Sequence, residues 1–216
     1  MSQYKMESLK TIALSAVFLA FLLLHAAFIQ TNSVYAQASS ISDSVLRLRV
    51  IANSNSKEDQ EQKLLFKSRL CEVLKPYLSN CSDIHAAICW IQENLPFIQE
   101  QSNQILSELN ADSCTVELTN SNFPIREYGN LTFPPGNYHT LLVNIGSGKG
   151  RNWWCVLYPS LCFTDESAAS FPEEAQNKLQ QTLSNEDYEA INQGVTYRFR
   201  IAEIVGSLYE TILSTK

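Results

Sequence analysis

VLRLRVIA, residues Val45 to Ala52, sets Leu46, Leu48 and Val50 against Arg47 and Arg49. A period of two is the pattern of a half-buried strand, so a strand opens the folded part of the chain. Asn53 to Ser56 then supplies turn residues, with Ser56 placed as the N-cap of a helix whose first turn holds Glu58 and Asp59. That helix is expected from Lys57 to Leu78, with Leu64, Leu70, Leu74, Tyr77 and Leu78 inward and Pro76 helping to stop it. Ile84, Ile88, Ile91 and Leu95 mark a second helix from Ser82, and Pro96 opens a third running to about Asn110.

Beyond this cluster of helices the period returns to two. Val116 and Leu118 alternate with Thr115, Glu117 and Thr119, and Leu141, Val143 and Ile145 continue the pattern from Tyr138 onward. FPIREYG (Phe123 to Gly129) is an extended stretch, and FPPGNY (Phe133 to Tyr138) holds a strong turn. GSGKG (Gly146 to Gly150) has the form of a hairpin loop leading into a central apolar strand at Trp153 to Tyr158. Residues 164 to 185 are Ser-, Glu- and Gln-rich, which predicts an exposed connector with few contacts and a short helix from Glu173 to Leu183. Ile201, Ile204, Val205, Leu208 and Ile212 mark a C-terminal amphipathic helix. The expected fold is therefore α+β: a mostly antiparallel sheet of about four strands, a helical cluster inserted after the first strand, and a C-terminal helix.

At 216 residues and 45% hydrophobic composition the chain can build a real core. Lys5 and Lys10 precede a charge-free run from Ile12 to Ile29, followed by polar residues and Val34-Tyr35-Ala36, the pattern of a secretory leader cleaved after Ala36. Ala38 is a second possible exit, and the run approaches the roughly 20 residues that span a bilayer, so an uncleaved anchor stays open. Residues 1–36 form this leader or anchor, 37–163 the α+β domain, and 164–216 the connector and terminal helix; residues 37–216 are expected outside the membrane. The net charge of -6 and the lack of a basic run exclude nucleic acid as a natural partner.

No residues read as catalytic. His85 and His139 are the histidines beyond the leader, and neither sits in a pattern such as HExxH or GxSxG. GSGKG fails the spacing of a phosphate-binding loop and precedes a strand, not a helix. Glu58-Asp59 and Asp165-Glu166 are explained as a capping cluster and a polar linker. No cysteine pair has zinc-site spacing, and neither metal nor cofactor is expected.

Arg47 and Arg49 share one face of their strand, and Arg126 could meet it from the irregular stretch. The plain explanation is a solvated sheet edge; the sharper one is an arginine surface that reads a carboxylate on a partner protein. Trp153 and Trp154 are neighbours on a strand, so they face opposite sides of the sheet, and one exposed tryptophan would mark a contact surface. Burial of both under a terminal helix is the alternative. All six cysteines, Cys71, Cys81, Cys89, Cys114, Cys155 and Cys162, lie after the leader. The Pro159-Ser160 turn makes Cys155 and Cys162 a candidate disulfide in an exported domain.

Three segments, RLRVIANSNSKEDQEQKL (Arg47 to Leu64), FPIREYGNLTFPPGNYHTLLVNIG (Phe123 to Gly146) and GKGRNWWCVLYPSLCF (Gly148 to Phe163), make the chain resemble the stage II sporulation protein R family over about 120 residues. The region after Phe163 has no motif of that family. The resemblance implies a forespore product secreted into the space between the two septal membranes. There it would stimulate a mother-cell membrane aspartic protease, the sigma-E processing peptidase (stage II sporulation protein GA), through its extracytoplasmic part. The resemblance brings no catalytic residues. Expected contacts are Arg47, Arg49, Arg126, Trp153 and Trp154, and the membrane is met only through the leader. A secreted cell-wall hydrolase, with a site around His139, or an anchored structural protein are the competing classes.

Overall fold

A computed structural model of the chain describes residues 2–159 and 173–192. It divides into two compact units, one formed by Ala38–Val195 and another that takes in residues up to Gln37. Helix α1 (Ser2–Ser44) begins in the second of these. There Leu14, Phe18, Leu19, Phe21, Leu22 and Phe28 are exposed, so this stretch is apolar without being one-sided. Among the described residues no helix is long and apolar enough to cross a membrane. The run Ile12–Ile29 includes Ile12, Ala13 and Ala27, whose side chains are not among those described.

The unit Ala38–Val195 is built on a four-stranded sheet. Strands β1 (Leu46–Ile51), β2 (Cys114–Phe123), β5 (Gly136–Ile145) and β6 (Asn152–Tyr158) lie in the order β2-β5-β1-β6. A two-stranded hairpin, β3 (Arg126–Tyr128) and β4 (Leu131–Phe133), stands beside it. The α+β class holds, but the sheet is mixed: β1 pairs with β5 in parallel, while β2–β5 and β1–β6 are antiparallel. A parallel neighbour needs a long crossover, and the helical cluster after β1 provides one.

That arrangement also corrects the reading of GSGKG as a hairpin loop. β5 and β6 are not partners, because β1 lies between them. The loop passes over the end of β1: Ser147 N donates to Asn53 Oδ1, Lys149 N to Asn53 O, and Gly150 N to Ala52 O at 2.8 Å. A Cβ at Gly150 would sit 2.2 Å from Ser54 O and 2.8 Å from Ala52 O, so the crossing requires glycine there. β6, expected to be central, is an edge of this sheet.

Helices α2 (Lys57–Leu78), α3 (Ile84–Glu93) and α4 (Leu95–Glu108) cover one face. Their starts follow local chemistry. Ser56 Oγ accepts from Asp59 N, Asp83 Oδ1 accepts from Ala86 N, and Pro96 lies in the first turn of α4. The first core joins Leu48, Val50, Leu141, Val143 and Leu157 to Phe66, Leu70, Leu74 and Ile91. Leu64 and Tyr77, expected inward on α2, are each 42% exposed, because the buried stripe runs through Phe66, Leu70, Leu74 and Leu78.

A second core lies on the opposite face, with Val45, Phe123, Leu131, Phe133, Tyr138 and Val156. Ile41, in the last turns of α1, joins it. So do Leu179 and Leu183 of α5 (Glu173–Thr182) with its following residue, and Ile191 of α6 (Asn185–Asn192). Within residues 164–185, where few contacts were expected, Leu179 and Leu183 are thus packed into the core. The amphipathic pattern from Tyr197 to Leu213 lies outside the described residues.

Candidate functional site

Alternation along β1 sends Leu48 and Val50 into the helical layer and Arg47 and Arg49 to the other face. Arg47 does not reach solvent there. It is fully buried, with its guanidinium carbon 4.4 Å from the Phe123 ring centre, 4.9 Å from Tyr138, 5.2 Å from Phe133 and 5.6 Å from Tyr128. Nη2 donates to Tyr128 Oη at 2.8 Å, and Tyr128 Oη in turn donates to the Trp154 carbonyl at 3.0 Å. Nε and Nη1 are buried with no hydrogen-bond partner among the described residues. Burial lowers the Arg47 pKa, the two tyrosines raise it, and the neighbouring Arg126 cation lowers it again. Rings take the place of a carboxylate here, since the negative faces of aromatic rings attract a cation. Arg47 is therefore a core residue of this face, a correction to its expected place on a contact surface.

Arg49 and Arg126 differ from it. Their guanidinium carbons lie 4.5 Å and 5.5 Å from the Trp154 ring, and Arg49 Nε donates to Asn152 Oδ1 at 3.1 Å. Phe123 meets Trp154 edge-on at 4.6 Å. Arg49, Arg126 and Trp154 are part-exposed, and Arg126 and Trp154 belong to a groove of about 420 Å³ lined by Ile125 to Tyr128 and Asn152 to Trp154, with Arg49 tied to its wall through Asn152. β3 positions the wall: Arg126 and Tyr128, two apart, share one side of the strand, while Glu127 is exposed. Ile125, 44% exposed, adds an apolar rim.

The structure separates the two tryptophans as alternation requires. Trp154 belongs with the second core, whereas Trp153 packs against the first, its ring 4.4 Å from Lys67 Nζ. Each is half-buried, so neither the fully covered nor the fully open reading applies. Trp153 Nε1 is buried without a partner among the described residues. Of the predicted residues Arg126, Trp153 and Trp154 thus line one groove, Arg49 lies beside it against Trp154 and Asn152, and Arg47 is buried among the rings of the second core. Tyr128, which ties Arg47 to β6, was not singled out from the sequence; its signal is the two-residue spacing from Arg126.

Cys155 is buried and disulfide-bonded, and Cys162 lies outside the described residues. Cys71, Cys81, Cys89 and Cys114 are free. Burial pushes the Cys71 thiol up to about 12 and Cys114 to about 11. Ala36 is exposed within α1. Among the described residues no cluster of three or more His, Cys, Asp or Glu could hold a metal ion. The groove offers guanidinium donors and a ring face, which suits recognition of an anionic or aromatic group.

The family model described as stage II sporulation protein R matches residues 42–168, more than half of the chain and all of the groove. A relative named stage II sporulation protein R, from Bacillus subtilis (strain 168), is 32% identical over 157 residues, which cover 72% of this chain and 69% of that protein. No solved structure matches. On both grounds the chain belongs to the stage II sporulation protein R family.

Proposed function

We propose that this chain is an exported signal of sporulation that activates the sigma-E processing peptidase (stage II sporulation protein GA) of the mother cell, acting from the septal space on the peptidase's extracytoplasmic part. Family membership is the observation that carries the reading, since it assigns the chain to stage II of sporulation. Two features support the finer role. The N-terminal run exposes apolar side chains on every side, as a leader or anchor entering a membrane does. The groove presents tryptophan and arginine together, residue types that dominate binding energy at protein contacts.

The action is binding, not catalysis. A bound signal shifts the peptidase toward its active arrangement only by its difference in affinity for the two arrangements. Reversing a 1:99 population takes about 5.5 kcal/mol, a gap that two or three hot-spot side chains of about 2 kcal/mol each would span. Deleting the gene is expected to leave pro-sigma-E uncleaved while the peptidase is still made. The full chain restores cleavage, and a chain lacking residues 2–36 does not. Restoration by the leaderless chain would refute action from outside the membrane.

A further inference from the structure

We propose that the groove between the β3–β4 hairpin and β6 is a carboxylate receptor, and that its occupant is an acidic segment of the partner protein held by Arg126 on the groove wall and by Arg49 beside it, both against the Trp154 ring. This rests on the reading of the groove as the contact surface and adds the chemistry of what enters it.

Charge complementarity is the argument. The chain is acidic overall, at -6, yet three guanidinium groups converge around Phe123 and Trp154. Among the described residues the ion pairs are Lys57–Glu61 at 3.7 Å and Arg69–Glu108 at 2.9 Å, and neither touches this region. Arg49 is shifted by burial alone, with no carboxylate to offset it, and Arg47 is penalised by Arg126. Like charges gathered at a half-buried site raise its energy, and an entering carboxylate removes that cost.

Donors are available as well as charge. Arg126 Nε, on the groove wall, is buried with no hydrogen-bond partner among the described residues. A buried donor left unmade costs about 1–3 kcal/mol, and a carboxylate oxygen satisfies it with the stronger, charge-assisted bond. Both forks already rest within 4.5 and 5.5 Å of the Trp154 ring, so less freedom is lost when they bind. The groove's own acid, Glu127, alternates away from Arg126 and is exposed. A volume of about 420 Å³ takes one or two acidic side chains and the backbone between them.

The test uses the full chain in a neutral detergent and a fluorescently tagged hexaglutamate peptide, read by anisotropy. Saturable binding is expected, weakened about tenfold or more by Arg126→Gln and by Arg49→Gln. Arg49→Lys, which keeps charge but loses the fork, is expected to fall between. Hexaglutamine should not compete, and tripolyphosphate should compete less well than unlabelled hexaglutamate. No binding, equal binding by Arg126→Gln with an unchanged unfolding midpoint, equal competition by hexaglutamine, or better competition by tripolyphosphate would each overturn the carboxylate assignment. Failure of the underlying contact surface reads differently: Trp154→Ala would process pro-sigma-E normally in cells whatever the peptide does.

Discussion

Arg47 shows what a single residue's pattern can and cannot say. Alternation in VLRLRVIA places it with Arg49 on one face, and the structure agrees. Which face is covered depends on Phe123, Phe133 and Tyr138, residues some 76 or more positions away, so its burial was not legible locally. Because no carboxylate faces Arg47 among the described residues, replacing it strands no opposite charge there. Arg47→Met, which refills the ring cage, is expected to hold or raise the urea midpoint. Arg47→Ala, which empties it and removes the link to Tyr128, is expected to cost about 2–5 kcal/mol. A large loss in both variants would contradict a cage held by packing. The free thiols give a second check at this scale. At pH 8 iodoacetamide should label exposed Cys89 first in the native protein, with Cys71 and Cys114 protected until unfolding. Their raised pKa values carry a sign: below pH 9 both states keep the thiol protonated. Above it the unfolded chain loses the protons first, so stability falls as pH rises from 9 toward 11 and 12. A midpoint that held flat across that window would contradict the burial.

Among the elements, those with local causes were readable and those set by distant pairing were not. The helix at Lys57–Leu78 and its Ser56 cap follow from nearby side chains, as do the alternating strands at Cys114 and Tyr138. The parallel β1–β5 pairing and the crossing of GSGKG over β1 are tertiary choices between loops that look alike in sequence. Leu179 and Leu183, four apart in a Gln-rich stretch, were too sparse a stripe to announce a packed helix. Gly150→Ala tests the crossing, since the new Cβ meets two backbone oxygens at the end of β1. Its unfolding midpoint should fall more than that of Gly129→Ala, a turn outside the sheet. The β2 edge has its own protection from α4. Gln99 accepts from Val116 N and donates to Cys114 O, and Asn103 accepts from Cys114 N. Gln99→Ala is expected to cost about 1–3 kcal/mol in urea unfolding and to promote self-association, because it leaves edge groups of β2 unpaired. An unchanged midpoint and a monomer at all concentrations would show that water replaces the side chain without loss.

For the whole molecule, the site is half legible: Arg49, Arg126, Trp153 and Trp154 were named from residue type and spacing, while the cage behind them needed the fold. One sheet separates two cores, and the half-exposed groove sits where β6 and the β3–β4 hairpin meet. The proposed function assigns delivery to the leader and contact to the groove, and the two requirements separate in experiment. The direct measurement is the fraction of pro-sigma-E converted in sporulating cells whose chromosomal copy carries Trp154→Ala with Arg126→Glu, scored beside the amount of exported protein. The account predicts wild-type export with pro-sigma-E left unprocessed. Normal processing by that exported variant would contradict it.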